Sequence, residues 1–169
     1  IGGTEHATLR IARAAAERGY RSIAFYREDS PVVGEFFRDA GLETVPYALA
    51  ELSLRRPLPF IRNTFAVRGA LKAHQVDIVH CADIDAALQV APAGRFAGVP
   101  VLCHIRNPWP TMMRREGLVL SAVDTFVFVS QDTWSTFAYR VGPTRGRVLY
   151  DGLEVQGPPQ SESRAAVRR

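Results

Sequence analysis

Ile78-Val79-His80-Cys81 and Val99-Pro100-Val101-Leu102-Cys103-His104 are short apolar runs separated by a helical stretch, Ile84–Ala97, with Gly98 as its stop. Neither run alternates polar with apolar side chains, so each reads as a strand buried on both faces. A strand, a helix and a second strand in this order form a βαβ unit with parallel strands. The same alternation continues in both directions along the chain.

Upstream, residues 4–18 form an amphipathic stretch, with Thr4 as its expected N-cap, a stripe at Ala7, Ile11, Ala14 and Ala15, and Gly19 just past its end. Residues 22–26 read as a strand. Ser30-Pro31 opens a helix over 30–40 that Gly41 stops, and 43–45 is a short strand ended by Pro46. Residues 48–56 are weakly patterned, with Pro57 and Pro59 as breakers after them. The helical period returns over 60–74 through Ile61, Phe65, Val67 and Leu71. Downstream lie a helix near 112–120, the most apolar strand at 125–129, a helix over 132–141 and a last strand at 147–149. The expected class is α/β, a doubly wound, Rossmann-like parallel sheet whose ligand lies outside the carboxyl ends of the strands.

Residues 1–155 make up this Rossmann-like domain. Gln156-Gly157-Pro158-Pro159-Gln160-Ser161 then reads as a linker, and 163–169 as a helix barely begun. Residues 156–169 are therefore expected to lead into a further domain. At the other end, Ile1-Gly2-Gly3 enters a helix with no strand before it, although a glycine loop of this kind normally follows one. The chain reads as part of a longer protein, and its sheet is expected to be interrupted where that strand belongs.

Composition narrows the classes further. A chain of 169 residues that is 47% hydrophobic is globular and large enough to bury a core. No apolar run approaches the roughly 18–20 residues of a membrane span. Cys81 and Cys103 have no metal-type spacing and read as small buried side chains in a reducing, cytoplasmic setting. The net charge of +4 rests on arginine, with Lys72 the sole lysine; it suits phosphate or carboxylate contacts, or an anionic surface. Basic–aromatic patterns for nucleic acid are absent, and no metal-ligand spacing occurs.

Strand ends carry the candidate chemistry. Gly2-Gly3 before a helix exposes unpaired backbone N–H groups and suits an anion, usually a phosphate. His80, Asp83, His104, Arg106, Asn107 and Ser130 fall at or just after other strand ends. Ser130 reads as a helix cap. Asp83 and Asp85 suit an acceptor hydroxyl, while capping accounts equally well for Asp83. His80, His74 and His6 read as structural or solvent-facing, although His6 lies in the first helical turn near the glycine loop. Arg106-Asn107-Pro108-Trp109-Pro110, followed by Arg114-Arg115, joins an aromatic face to guanidinium groups and suits a sugar or a phosphate; Trp109 as a mere loop staple is the open alternative.

Taken in order, Gly2-Gly3-x-Glu5, Arg18-Gly19-Tyr20, Asp77-Ile78-Val79-His80, Val99-Pro100-Val101-x-x-His104, Phe128-Val129-Ser130 and Val148-Leu149-Tyr150-Asp151-Gly152 resemble the N-terminal half of retaining GT-B glycosyltransferases. The likeness is to the large family 4-like, "glycosyl transferase group 1" type. It covers residues 1–155. The family usually has Asn-Gly where this chain has Asp151-Gly152, a turn that Asp also tolerates.

The resemblance implies a bacterial enzyme of glycan biosynthesis that moves a sugar, with retention, from a nucleotide-diphosphate sugar to a hydroxyl acceptor. It implies no metal and no cofactor beyond the donor substrate. His104 would be the catalytic histidine contacting the donor sugar, with Gly2 and Gly3 beside the diphosphate. Acceptor binding would fall to Glu5, His6, Asp83, Arg106, Asn107 and Trp109. The partner would be a C-terminal Rossmann domain of the same protein, carrying paired glutamates and most nucleotide contacts.

Residues 52–62 interleave apolar side chains with Arg55, Arg56 and Arg62, which suits peripheral contact with the inner, anionic face of a membrane; an irregular connection packed on the sheet is the alternative. Two rival functions share the fold. One is a non-catalytic ligand-binding module. The other is a dinucleotide-dependent oxidoreductase, disfavoured because Gly2-Gly3-Thr4-Glu5-His6-Ala7 lacks the glycine spacing of that fingerprint.

Overall fold

Parallel strands require crossover connections, and the chain supplies a helix between each pair of successive strands. The computed structural model describes residues 1–50, 52–53 and 55–150. In order the elements are α1 (Gly3–Ala16), β1 (Ile23–Arg27), α2 (Pro31–Asp39), β2 (Glu43–Tyr47), α3 (Leu58–Ala73), β3 (Val79–Cys81), α4 (Ile84–Ala97), β4 (Val101–Ile105), α5 (Arg114–Leu120), β5 (Thr125–Phe128), α6 (Gln131–Ser135) and β6 (Gly146–Val148). All pairings are parallel, in the orders β1-β2 and β3-β4-β5-β6. Among the described residues no ladder joins β1 to β3, so the sheet is interrupted between them. The Asp151-Gly152 turn, the linker and the final helix lie outside the described residues.

The core lies on one face of β3–β6. Val79, Cys81, Val101, Cys103, Ile105, Phe126 and Phe128 occupy alternate positions and are buried with Ala87, Val90 and Ala91 of α4. Gly94 lets α4 approach this closely, since a Cβ there would collide with the Val101 side chain. Gly98, at φ +75°, then ends the helix in the left-handed conformation. Beyond β5, Trp134 stacks on Phe128 at 5.2 Å, and Gly146 leaves room for the indole.

Several expectations are corrected. Thr4 does not cap α1: the helix begins at Gly3 with Gly2 as N-cap, and the Glu5 carboxylate accepts the Gly2 N–H at 2.7 Å. The faces of two helices are rotated from the expected stripes. In α1, Ala7, Leu9 and Ala12 are buried while Ile11 is exposed; in α3, Phe60, Val67 and Leu71 are buried while Ile61 and Phe65 face out. Pro57 and Pro59 open α3 rather than break it, because first-turn N–H groups have no helical partner to lose. The helix expected over 132–141 stops at Ser135; the Ala138 N–H instead donates to the Trp109 carbonyl at 2.8 Å, drawing the backbone toward the β4–α5 loop. His74 is only partly exposed, with Nδ1 3.0 Å from Glu43 Oε1.

Candidate functional site

Side chains alternate along a strand, so the face opposite the core receives His80 from β3 and His104 from β4. His104 stands opposite Val127 in the register, and His80 opposite Leu102. The two rings lie 5.8 Å apart, tilted by 45°. His104 is 4% exposed.

Just beyond β4 the backbone lets Arg106 fold back across this edge. Its Nη1 donates to the Ala82 carbonyl at 2.6 Å and its Nη2 to His104 Nδ1 at 3.0 Å. Burial pushes the His80 pKa down to about 4, helped by the cost of placing a second imidazolium beside His104 and by the nearby Arg106 guanidinium. His80 is therefore neutral at physiological pH. Asp83 caps α4, its Oδ1 accepting the Ala86 N–H at 2.7 Å, and its carbonyl accepts the Cys103 thiol at 3.5 Å. Ser130 likewise caps α6, accepting the Thr133 N–H at 3.0 Å. Both cysteines are free and buried; burial raises the Cys81 thiol to about 12 and holds Cys103 well above its usual range, so neither is a ready nucleophile.

A second feature opens beside this cluster. A cleft of about 400 Å³ is lined by Arg27, Leu49, Asp85, Gln89, Trp109 and Arg115, with Leu52, Leu88, Met113, Glu116 and Val119. Its walls come from the end of β1, the chain after β2, the start of α4, the β4–α5 loop and α5. Several of its polar groups are already held. Arg27 makes a bidentate pair with Asp29 at 3.0 and 2.7 Å. Gln89 Oε1 accepts the Ala50 N–H at 3.0 Å, and Glu116 Oε2 accepts the Met113 N–H at 2.9 Å. Partial burial, and then the nearby Asp83 carboxylate, raise the pKa of Asp85. An apolar floor, one indole and a few fixed polar groups make a surface suited to a ring that is apolar on its faces and hydroxylated at its edge.

The structure divides the expected site residues. His104, Arg106 and Asp83 come together at the ends of β3 and β4, and Trp109 lines the cleft. Asn107 is exposed on the loop between them. Glu5 is engaged in capping, and His6 packs edge-on against Phe36 at 5.2 Å. Among the described residues no hydrogen bond joins Gly2, Gly3, Glu5 or His6 to the His104 cluster. Open space surrounds Gly3, where an added Cβ would meet nothing within 4 Å. Arg27 and Gln89 escaped the sequence reading. The position of Arg27 at the end of β1 was a signal in its favour; Gln89, mid-helix, gave none.

Comparison with known proteins places the fold. The description Glycosyltransferase Family 4 matches residues 1–156. No curated protein sequence matches significantly. Among solved structures, MurG of Acinetobacter baumannii superposes with a TM-score of 0.66 at 16% identity, over 92% of this chain and 44% of its own. HepE of Anabaena, solved with UDP-glucose, gives 0.69 at 16%, over 99% and 46%. A glycosyltransferase from Rickettsia africae gives 0.72 at 14%, over 99% and 46%. The chain thus spans less than half the length of these proteins, and the likeness is one of fold. With its parallel α/β layers matching the Rossmann-like half of a GT-B enzyme, the chain belongs to glycosyltransferase family 4 as an N-terminal GT-B domain.

Proposed function

We propose that this domain forms the acceptor side of a retaining glycosyltransferase, which moves a sugar from a nucleotide-diphosphate donor to a hydroxyl acceptor. The observation that carries the reading is the buried His104 at the carboxyl end of β4, beside the Trp109 cleft, in a family 4 fold. Negative charge grows on the leaving diphosphate during transfer, and N–H donors aimed at it lower the barrier. The Gly3 N–H suits that task, since the Gly2 N–H is already held by the Glu5 carboxylate, and His104 suits a hydrogen bond to the donor sugar. The acceptor lies in the cleft, its ring against Trp109 and its hydroxyls toward Asp85 and Gln89. A C-terminal Rossmann domain supplies the rest of the donor site.

The test uses the intact protein with a panel of nucleotide sugars and saccharide acceptors. Nucleotide release that depends on acceptor, with the product keeping the donor's anomeric configuration, supports the reading. Inversion would remove the retaining mechanism, and binding without turnover would favour a non-catalytic module.

Peripheral contact with an anionic leaflet belongs to the same proposal. No acidic residue occurs between Leu52 and Val76, while Arg55, Arg56, Arg62, Arg68 and Lys72 do. On α3, Leu58 is 74% and Phe65 55% exposed, and Phe65 stacks on the exposed Phe96 of α4 at 6.1 Å. Leu54, within this stretch, lies outside the described residues. Each arginine near an anionic surface contributes about 1 kcal/mol. Co-sedimentation with anionic vesicles should fade as salt rises and weaken when Arg55, Arg56 and Arg62 become glutamine. Equal binding to neutral vesicles would rule out the electrostatic part. Among the described residues no helix is long and apolar enough to cross a membrane.

A further inference from the structure

A guanidinium group has only donors. Arg106 Nη2 lies 3.0 Å from His104 Nδ1, so the hydrogen bond between them requires a lone pair on Nδ1, and the ring proton must sit on Nε2. Arg106 is not loose in making this contact. Its other terminal nitrogen is tied to the Ala82 carbonyl at 2.6 Å, at the end of the neighbouring strand, which fixes the plane of the fork. His104 is buried, so its ring has little freedom to turn away. The neighbouring His80 ring, 5.8 Å off, is itself held neutral.

We infer that Arg106 is a positioning residue for His104: it fixes the imidazole as the neutral Nε2–H tautomer, so that His104 meets its ligand as a hydrogen-bond donor and not as a base. A donor is what a sugar hydroxyl oxygen or a leaving phosphate oxygen requires, and this assignment of purpose rests on the transferase reading. The tautomer itself does not. In this role Arg106 acts on substrate through His104, which separates it from an acceptor-binding arginine.

The experiment is nitrogen-15 NMR of the histidine rings in the intact protein at pH 7, with a His104→Phe variant to assign the His104 signal. His104 should show an unprotonated Nδ1 and a protonated Nε2. A protonated Nδ1, or an imidazolium, would overturn the inference from the wild-type spectrum alone. In Arg106→Ala both nitrogens should shift toward the averaged values of exchanging tautomers. Arg106→Lys, which also presents only donors, should restore the single tautomer at least in part. A folded Arg106→Ala protein with an unchanged His104 spectrum would show that Arg106 acts only in packing.

Kinetics supply a second reading. Arg106→Ala should lower kcat about tenfold, the scale of one weakened transition-state hydrogen bond, with acceptor KM nearly unchanged. A rise in acceptor KM at constant kcat would instead make Arg106 an acceptor contact. Absence of sugar transfer by the wild type would sink the transferase reading while the tautomer result stood.

Discussion

The two faces of β3–β6 are built from alternate residues of the same short strands and do opposite work. On one, Val101, Cys103, Ile105, Phe126 and Phe128 are sealed under α4 and α6. On the other, one residue further along each strand, stand His80, Leu102, His104 and Val127. Because the side-chain period of a strand is two, a five-residue strand such as β4 contributes both to the core and to the candidate site. The contrast teaches that the two functions are separable by substitution: changes on the first face should act on folding, changes on the second on chemistry and pH response.

The largest expected effect lies on the core face. Phe128→Ala removes a fully buried ring on which Trp134 stacks and should cost about 3–5 kcal/mol in urea unfolding of the intact protein. A loss under about 1 kcal/mol would mean that the Phe128–Trp134 stack contributes little to the core. The next effect belongs to His80. Its pKa falls from 6.5 in the unfolded chain to about 4 in the fold, so the unfolded state binds the proton first as pH drops. The stability this contributes is complete above pH 6.5 and declines by about 1.4 kcal/mol per unit as pH falls to about 4, where the decline ends. His80→Leu should flatten that segment of the stability profile; an unaltered slope would place the titration elsewhere.

A smaller change separates the faces most sharply. His104→Ala should lower turnover of the folded enzyme by about tenfold or more, about 1.5–3 kcal/mol of barrier. Unfolding measurements on the same variant give the folded fraction for normalisation. If the normalised rate holds and only stability falls, both faces of the sheet are structural. The smallest effect is expected at Gly3. An alanine there meets open space and is a better helix former, so stability should hold or rise by up to about 1 kcal/mol. Donor KM should rise if the backbone N–H groups approach a diphosphate. Unchanged kinetics would remove the glycine loop from the site.

The order of strands and helices was legible because each apolar run is bounded by its own stop. Gly41 and Gly98 both take positive φ where a helix had to end. The faces of α1 and α3 were less legible. Ile11, Ile61 and Phe65 complete plausible apolar stripes yet point outward, and only the packing of Ala12, Phe60 and Val67 settles the rotation. Of the site, His104 and Trp109 stood out as a strand-end histidine and a proline-flanked indole. The cleft did not, because Arg27, Leu49, Asp85, Trp109 and Arg115 come from separate segments and no local pattern connects them. The Arg106–His104 bond was equally hidden, since a spacing of two residues does not reveal that the first has folded back over the second.

The hydrogen bond from the Ala138 amide to the Trp109 carbonyl has a consequence for recognition. It fastens the indole-bearing loop to the chain after α6, and Pro108 and Pro110 on either side stiffen it further. A sugar ring bound at Trp109, as proposed, would therefore meet a wall that already stands. Little conformational entropy is left to surrender on binding, so affinity at this position is governed by fit rather than by the cost of ordering a loop.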